Sequence, residues 1–432
     1  MNKLYYGDCL SIMQEMKLAS VDLIYLDPPW NSNRAYNAIY RDSTGLELPD
    51  QVEAFCDIWE LTPERESVIR NMPVLMAQAG VPDSAGKLWA LWLSALRGTQ
   101  PKLLAYLLYM TERLIVMKGL LKPTGSIYLH CDPTASHYIK SLMDAIFGHN
   151  NFQNEIIWSY RRWSAKSKHF QRMHDVLLFY SKDSHLKHRT FNVQYEPYTD
   201  GTLRRWKGIK RQTTISTDGK LSQIEDTQGV KGANMGDVWQ ISVINAAANE
   251  RIGYPTQKPL SLLKRVIEAS SNVGDVVFDP FCGCATTIAA AHELNRRWIG
   301  IDIAYHAIKR VAQVRLQDAY GLVEGEHYTV TGVPRTLEGA QNLWRQDKYQ
   351  FQRWAVELVN GFVTTKRTAD GGIDGRLYFA LPGNKQLQSM VLEVKGGRNV
   401  GVNAVRDLRG ALDRDEAAMA GLIIMEPLAD RQ

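Results

Sequence analysis

A carboxylate, two prolines and a tryptophan follow a short apolar segment near the amino terminus. The segment reads VDLIYLDPPW over residues 21–30, and its apolar run stops at Asp27. Asp and Pro are common where a strand ends, so Asp27, Pro28, Pro29 and Trp30 could simply mark a chain reversal. Two consecutive prolines, however, fix the backbone and leave carbonyl oxygens without a local donor. Such a loop suits a flat ring with an amino group, bound by the oxygens and stacked on Trp30.

A second apolar segment ends in an acid and a glycine turn, in GDVVFDPFCGCATTIAAAHELNRRWIGIDI at residues 274–303. The pattern predicts a strand ending at Asp279, a turn at Gly283, a helix, and a strand ending at Asp302. Gly283 would let a ligand approach the backbone, and Asp302 could accept from ribose hydroxyls. The turn lacks the dinucleotide and phosphate-loop signatures, so NAD and ATP fit poorly. A purely structural turn is the alternative, but two acids at consecutive strand ends favour a nucleoside cofactor.

The segment YPTQKP at residues 254–259 lies immediately before the helix that leads to the glycine turn. One interpretation is an ordinary helix start. The other is that Thr256 and Lys258 bring a hydroxyl and an ammonium group beside the turn, where they could hold a carboxylate or fix a loop.

Composition and length indicate a globular, multidomain, cytoplasmic protein. The 432 residues exceed one ordinary core, and 45% of them are hydrophobic without a run of membrane-spanning length. The amino terminus has no signal-peptide pattern, and no membrane partner is expected. The five cysteines are an odd number without zinc spacing, so a disulfide framework is not predicted.

Positive charge is concentrated in one segment, residues 161–211. It holds thirteen Lys or Arg against four Asp or Glu, a net +9, whereas the rest of the chain sums to −4. A solvated basic face is the usual explanation. Aromatic residues interleave with these charges, however, as in SYRRWSAKSKHF, and this combination fits nucleic acid. The candidate DNA-binding residues are Arg161, Arg162, Lys166, Arg204, Arg205 and Lys207.

Together these stretches resemble the amino-group DNA methyltransferases that use S-adenosylmethionine. The order is the DPPW loop, a variable basic region, YPTQKP and the glycine turn, similar to the permuted β class. GDCL at 7–10, LKPTGSIYLHCD at 121–132, and NEIIWSY with HDVLLFYSK within 154–182 extend the resemblance. It implies an α/β fold: a Rossmann-like methyltransferase sheet, mostly parallel with one reversed strand, with helices on both faces.

The resemblance also implies which residues bind the cofactor. They are Asp8, Cys9, Thr256, Lys258, Asp279, Phe281, Gly283 and Asp302. Asp279, Phe281 and Gly283 would form the methionine-binding turn, and Asp302 would accept from the ribose. Asp8 and Cys9 would lie beside the cofactor adenine, and Thr256 and Lys258 beside the methionine moiety. The family usually has a second glycine where Ala285 stands, and we expect the extra methyl group to be tolerated.

The catalytic loop implied by the resemblance is Asp27, Pro28, Pro29 and Trp30. Asp27 and the Pro28 carbonyl would accept the two hydrogens of the adenine amino group, freeing its lone pair to attack the methyl group. The base would leave the duplex and stack on Trp30. Methylation at cytosine carbon 5 needs a Pro-Cys dipeptide, which is absent. Cytosine-N4 enzymes of the family mostly carry Ser in place of Asp27, so adenine-N6 is favoured and cytosine-N4 is the alternative.

After about residue 335 the sequence changes character. A helical segment containing Glu357 precedes TADGGIDGRLYFAL and MVLEVKGG, which predict a hairpin that places Asp374 near Glu393 and Lys395. An exposed hairpin with a Glu–Lys pair is one interpretation. The other is a resemblance to the PD-(D/E)xK nuclease superfamily, which implies Mg²⁺ held by Asp374 and Glu393 with Lys395 alongside.

The predicted organisation is a methyltransferase domain at 1–335 and a smaller α/β nuclease-like domain at 336–432. If the chain is truncated, this second domain is incomplete. Within the first domain we expect a basic target-recognition segment at 161–245 and a helical insert at 44–100. The expected function is site-specific adenine-N6 methylation of double-stranded DNA in a restriction-modification or defence system. A bifunctional enzyme, or a non-catalytic DNA-binding protein that acts through its nuclease-like tail, are the alternatives. A homodimer and a separate restriction subunit are further partners that the resemblance allows.

Overall fold

A computed structural model describes residues 1–29, 35–38, 52–56, 63–133, 135–162, 168–187, 189–201, 204, 211–215, 221–225, 232–245, 248–254, 256–364, 372–380, 387–397 and 400–425. Its strands, numbered in chain order, are β1 (Asn2–Tyr6), β2 (Val21–Leu26), β3 (Ala35–Ala38), β4 (Val52–Cys56), β5 (Leu121–Cys131), β6 (Phe152–Ser159), β7 (His174–Ser181), β8 (Tyr195–Glu196), β9 (Arg211–Ile215), β10 (Leu221–Glu225), β11 (Ala233–Asn234), β12 (Val238–Gln240), β13 (Val276–Asp279), β14 (Arg297–Asp302), β15 (Tyr328–Thr331), β16 (Phe362–Val363), β17 (Gly375–Ala380), β18 (Leu387–Lys395) and β19 (Met419–Ile424).

The helices of the described residues are numbered in the same way. They are α1 (Cys9–Gln14), α2 (Pro63–Gln78), α3 (Asp83–Leu96), α4 (Pro101–Leu120), α5 (Ser136–Phe147), α6 (Leu260–Ser270), α7 (Thr286–Glu293), α8 (Gln313–Tyr320), α9 (Leu337–Gln346), α10 (Lys348–Leu358) and α11 (Val402–Arg414). A π-helical segment, Ala307–Ala312, runs directly into α8.

The larger sheet has nine strands in the order β12-β6-β7-β5-β2-β13-β14-β1-β15. β7 is antiparallel to both of its neighbours, and every other pair in this sheet is parallel. The predicted mostly parallel sheet with one reversed strand is therefore confirmed. In a parallel sheet the carboxyl ends of the strands meet at one edge, where ligands usually bind.

Strand β2 shows how the sheet is buried on both faces. Its side chains alternate: Ile24 and Leu26 belong to one hydrophobic cluster with α1 to α5, whereas Leu23 and Tyr25 belong to another with α6 and α7. All six β2 residues are buried. A continuous apolar run is expected of a strand covered by helices on both faces.

Part of the predicted insert at 44–100 lies in the described residues. Its helices α2 and α3 contribute Met72, Met76, Trp89 and Leu93 to the cluster that contains α4 and α5. The Trp89 indole N–H donates to the Thr111 hydroxyl of α4 at 3.2 Å. These helices therefore pack against the core of the larger sheet.

The smaller sheet has the order β16-β17-β18-β19, with β17 and β18 antiparallel and β18 and β19 parallel. Helix α10 packs Phe351 and Trp354 into the same hydrophobic cluster as Leu4 of β1 and Ile308. The two sheets therefore share a continuous apolar core through this helix. No described helix has the length and apolarity required to span a bilayer.

Candidate active site

The DPPW loop and the glycine turn begin at the ends of neighbouring strands. β2 and β13 are parallel partners, with Leu23 opposite Val277 and Ile24 opposite Phe278. Asp27 follows the last residue of β2, and Asp279 ends β13, so both carboxylates lie at the same edge of the sheet. Burial is the main cause that raises the pKa of Asp279, and the negative charge of Asp27 adds to it. The two motifs therefore lie side by side at one edge of the sheet. Trp30 lies outside the described residues.

A buried histidine lies behind the Asp27 carboxylate. The His130 ring is fully buried, with Nδ1 at 3.6 Å from Asp27 Oδ1 and 2.9 Å from the Tyr25 hydroxyl. Its Nε2 lies 3.5 Å from Asp175 Oδ2, and the Tyr160 hydroxyl donates to Asp175 at 3.1 Å. Burial acts to raise the pKa of Asp175, but the hydrogen bond and charge of His130 bring it below its usual range. His130 on β5 thus lies between two carboxylates from the strands on either side of it, Asp27 after β2 and Asp175 on β7.

Lys258 reaches the candidate catalytic carboxylate. Its ammonium group hydrogen-bonds to Asp27 Oδ2 and lies 3.5 Å from the carbonyl oxygen of Thr256. The side chains of Lys258 and Asp27 are only 13% and 17% exposed, so this ion pair is shielded from solvent. The YPTQKP segment therefore supplies a cation to the DPPW loop as well as lying near the glycine turn.

The glycine turn is built around left-handed backbone conformations. Gly283 has φ +46°, and a Cβ atom added there would come 3.3 Å from the Tyr254 ring, so both conformation and space favour glycine. Ala285, where the family usually has glycine, has φ 59° and is completely buried, so this alanine stands in a backbone conformation that favours glycine. The tyrosine face and the bare glycine backbone form one wall of the site.

Asp279 holds this turn from inside. Its carboxylate accepts from the Phe281 N–H at 3.0 Å and from the Thr287 hydroxyl at 2.5 Å. Burial raises the pKa of Asp279 to about 7, against the lowering effect of these two hydrogen bonds. The Phe281 ring lies beside Tyr109 of α4, with centroids 6.4 Å apart.

Asp302 closes the other side of the turn. Its Oδ2 accepts from the Gly283 N–H at 2.8 Å and its Oδ1 from the Ala304 N–H at 2.8 Å. Its main-chain carbonyl accepts from Gly7 at 3.0 Å, which brings the GDCL segment to the same place. A carboxylate has about four acceptor positions, so Asp302 keeps capacity for a hydroxyl donor.

Asp8 and Cys9 form a small polar cluster with α4. Asp8 caps α1 by accepting from the Leu10 N–H at 2.7 Å, and it accepts two bonds from the Arg113 guanidinium. Arg113 also donates to Cys9 Sγ at 3.3 Å and lies 3.3 Å from the centre of the Tyr109 ring. Burial raises the pKa of Cys9 to about 11, so this thiol stays neutral at ordinary pH.

The candidate DNA-binding residues are only partly described. Arg161 and Arg162 are exposed at the end of β6, and the Arg162 guanidinium lies 4.8 Å from the centre of the Tyr160 ring. Arg204 is also exposed. Lys166, Arg205 and Lys207 lie outside the described residues. The exposed arginines at β6 adjoin the Tyr160–Asp175–His130 chain that leads to Asp27.

A second polar centre lies on the smaller sheet. Asp374 precedes β17 and accepts from the Val394 N–H at 2.6 Å and from the Gln352 amide of α10. On β18 the Lys395 ammonium lies 2.5 Å from Glu393 Oε1. The hairpin thus brings Asp374, Glu393 and Lys395 together as the sequence predicts. Glu357 is not part of this centre, because its carboxylate accepts from the His306 N–H instead.

This centre fits a metal ion only in part. The Glu393 side chain is 3% exposed, and its Oε2 makes no hydrogen bond to any described residue, so one buried oxygen is available to a cation. No group of three His, Cys, Asp or Glu side chains with metal-binding geometry occurs in the described residues. Asp374 and Glu393 would therefore hold Mg²⁺ with water completing its coordination.

Several residues of these sites were not found by sequence reasoning. They are Tyr25, Arg113, His130, Tyr160, Asp175, Tyr254 and Gln352. His130 stands in the quoted LKPTGSIYLHCD segment, where a histidine in an otherwise apolar strand was the available signal. The others depend on contacts between segments far apart in the chain, which no local pattern shows.

Comparison with known proteins agrees with this geometry. Residues 21–313, more than half of the chain, match the family described as DNA methylase (N6_N4_Mtase). The chain belongs to the DNA methylase family. Residues 343–429 match a second family, described as restriction endonuclease (Mrr_cat), so the tail is a restriction-endonuclease-like domain. Both resemblances predicted from the sequence are confirmed.

Individual relatives are moderately similar to this chain in sequence. The type II methyltransferase M.EcaI of Enterobacter cloacae is 30% identical over 259 residues, covering 48% of this chain and 56% of the relative. M.HpaI of Haemophilus parainfluenzae, also a type II methyltransferase, is 32% identical over 215 residues, covering 50% and 60%. The DNA adenine methyltransferase YhdJ of Escherichia coli (strain K12) is 27% identical over 305 residues, covering 70% and 79%. The chain thus spans less than two thirds of the first two relatives.

Proposed function

We propose that this protein is a site-specific DNA methyltransferase that transfers a methyl group from S-adenosylmethionine to an exocyclic amino group of a base. The observation that carries the proposal is the position of Asp27 and the glycine turn at one edge of the sheet, on neighbouring parallel strands. Membership of the DNA methylase family supports it. When bound, S-adenosylmethionine supplies an electrophilic methyl group.

The residues of the chain fit that cofactor. The bare backbone of Gly283 beside Tyr254 gives access to the main chain, and Asp302 keeps acceptor capacity for a hydroxyl. Asp8, Cys9, Phe281 and Thr256 complete the proposed pocket, with Asp279 holding the turn. Asp27 and the Pro28 carbonyl would accept the two hydrogens of the target amino group and orient its lone pair. Lys258 pairs with Asp27 Oδ2, and the carboxylate keeps other acceptor positions for the target amino group.

Adenine-N6 is the proposed target, because the DPPW loop presents Asp27. The similarity to YhdJ, whose name gives adenine as its base, supports this choice. The proposed substrate is double-stranded DNA, contacted by Arg161, Arg162 and Arg204 within a recognition segment at 161–245. The proposed domains are 1–335 and 336–432, and a restriction-modification system is the proposed setting.

Nucleoside analysis tests the target base. The protein is incubated with S-adenosylmethionine and a duplex DNA library, and the DNA is then hydrolysed and its nucleosides separated by mass spectrometry. The proposal expects N6-methyladenine to accumulate. Accumulation of N4-methylcytosine instead would assign the cytosine alternative. If neither methylated base accumulated, the methyltransferase proposal would be contradicted.

A second proposed activity, Mg²⁺-dependent DNA cleavage, rests on the Asp374–Glu393–Lys395 centre. The buried, unbonded Glu393 Oε2 favours it. Addition of Mg²⁺ should raise the thermal unfolding temperature and allow cleavage of unmodified DNA, and Glu393→Gln should abolish both effects. Glu338→Gln on exposed α9 is the matched control. Equal responses of the two variants would contradict a metal site at Glu393.

A further inference from the structure

A helix of the restriction-endonuclease-like domain contacts the loop that carries Asp302. The loop runs from Asp302 to His306, and helical conformation begins at Tyr305. Glu357 of α10 accepts a hydrogen bond from the His306 N–H at 2.8 Å. The first N–H groups of a helix have no partner within the helix, and a carboxylate there is favoured by the helix dipole. Glu357 therefore caps this helix from the other domain.

The loop is consequently held between two carboxylates. Asp302 accepts from Ala304 at 2.8 Å on one side, and Glu357 accepts from His306 on the other. Glu357 is 7% exposed, so its bond is protected from competing water. Burial raises the pKa of both Asp302 and Glu357, whereas the nearby Arg353 charge lowers them.

Two further contacts join α10 to the same rim. The Tyr6 hydroxyl donates to the Gln350 carbonyl at 3.4 Å. The Gln350 side-chain amide bounds the space beside Gly7, whose N–H donates to the Asp302 carbonyl. The same helix places Phe351, Trp354 and Ala355 in a core that includes Tyr6 and Ile308. The contact is therefore a packed interface and not a single bond.

We propose that Glu357 is a positioning residue of the methyltransferase cofactor site, holding the 302–306 loop so that Asp302 and the Gly283 turn are in place for the ribose. The proposal rests on the proposed function, because it takes S-adenosylmethionine as the ligand of Asp302. Glu357 does not touch the cofactor. It acts through the His306 and Ala304 backbone, and it makes one site depend on both domains.

The test measures cofactor affinity and kinetics in the full-length chain. Glu357→Gln keeps the shape and an acceptor oxygen but loses the charge, and we expect the dissociation constant and KM for S-adenosylmethionine to rise about tenfold, because the bond from the His306 N–H is no longer charge-assisted. The kcat and the affinity for DNA should be unchanged. Glu357→Asp, which retains the charge, should recover part of the affinity.

Two matched controls separate positioning from general destabilisation. Glu338→Gln makes the same chemical change at an exposed site of the same domain. Val356 of α10 is fully buried, and Val356→Ala leaves a cavity in the core beside it. This variant should have a lower unfolding temperature but an unchanged cofactor affinity. A Glu357→Gln variant whose affinity stays within twofold of the wild type, or falls no more than that of Val356→Ala, would overturn the proposal.

Hydrogen exchange of the wild-type protein provides a readout that requires no variant. Saturating S-adenosylmethionine should slow amide exchange in residues 303–306 and in α10, but not in α11 of the same domain. Protection of 303–306 without α10 would also overturn the proposal. If the wild type does not bind S-adenosylmethionine at all, the proposed function fails instead, so the two failures are distinguishable.

Discussion

At the scale of single residues, Asp27 is held by groups from two distant parts of the chain. Lys258 pairs with one of its oxygens, and His130 lies 3.6 Å from the other. A carboxylate that accepts hydrogens from a substrate acts best when it is already oriented. The free energy of substrate binding is then not spent on ordering the carboxylate. The sequence predicted Asp27 from its position after an apolar strand. It could not predict His130 as the neighbour of Asp27, or Asp175 on the far side of that histidine.

The Lys258–Asp27 pair leads to a prediction on catalysis. Lys258→Met removes the cation that fixes Asp27, so kcat for methyl transfer should fall by at least about tenfold while the dissociation constant of S-adenosylmethionine changes little. Steady-state kinetics and equilibrium dialysis measure the two. Lys264→Met is the control, because Lys264 pairs with Glu293 away from Asp27. A weaker cofactor affinity with unchanged kcat would instead support the cofactor role that the sequence suggested.

The buried Asp279 leads to a prediction on pH dependence. Its pKa is about 7 in the folded protein, above the usual value of about 3.9 in an unfolded chain. Between these values the folded state binds more protons, so this residue lowers the free energy of unfolding as pH rises. Asp279→Asn cannot titrate. Its free energy of unfolding should therefore rise relative to that of the wild type, by up to a few kcal/mol, as the pH is raised from about 4.5 to 7.5.

Denaturant unfolding of both proteins at the two pH values measures this difference. Asp318 is an exposed residue of α8, and for Asp318→Asn the stability difference from the wild type should not change with pH. The pH-dependent part of the difference isolates the charge of Asp279 from any loss of its bonds to Phe281 and Thr287. A stability difference that does not vary with pH would contradict the buried-carboxyl account.

At the scale of elements, strand order decides what the motifs can do together. The sequence predicted two apolar strands that end in acids, and β2 and β13 are parallel neighbours that bring those ends to one edge. Apolar runs and turn residues predicted the two strands, whereas it was the resemblance to the methyltransferase family that implied a shared site at their ends. The hairpin of β17 and β18 was predictable from the sequence, since alternation places Glu393 and Lys395 on one face. The target-recognition segment gave no comparable pattern, because bases are read by individual side chains.

The glycine turn leads to a prediction on an element. Gly283→Ala adds a Cβ that would lie 3.3 Å from the Tyr254 ring and places alanine at φ +46°. We expect a loss of stability of about 1–2 kcal/mol from the left-handed backbone, and a weaker affinity for S-adenosylmethionine.

A matched glycine separates these two effects. Gly321 has φ +64° and nothing within 4 Å of an added Cβ, so Gly321→Ala introduces the left-handed strain alone. It should lower the unfolding temperature without changing cofactor affinity. Equal cofactor affinities for the two alanine variants, measured by calorimetry, would show that the turn at Gly283 does not bind the cofactor.

At the scale of the whole molecule, the two sheets are joined by one apolar core. Leu4 and Ile308 lie in the same cluster as Phe351, Trp354 and Val394. The sequence predicted two domains from a change in composition after about residue 335. It could not predict that α10 lies against β1 and the Asp302 loop, because an amphipathic pattern shows that a helix is covered but not by which element.

This shared core predicts cooperative unfolding. Separating the two domains would expose apolar surface on both, so neither should unfold alone under mild conditions. Differential scanning calorimetry of the full chain should show one transition, and tryptophan fluorescence should change at the same temperature. Two resolved transitions would show that the interface contributes little to stability.

Asp27 and the glycine turn are proposed to form one methyl-transfer site, and the Asp27→Ala variant separates their roles, because methyl transfer should depend on Asp27 whereas cofactor binding should not. Duplex DNA is incubated with tritium-labelled S-adenosylmethionine, and cofactor affinity is measured on the same preparations, with Asp318→Ala as a control. We expect Asp27→Ala to lose label incorporation by several orders of magnitude and to bind the cofactor as the wild type does, whereas Asp318→Ala should be fully active. Undiminished labelling of DNA by Asp27→Ala would contradict this proposal.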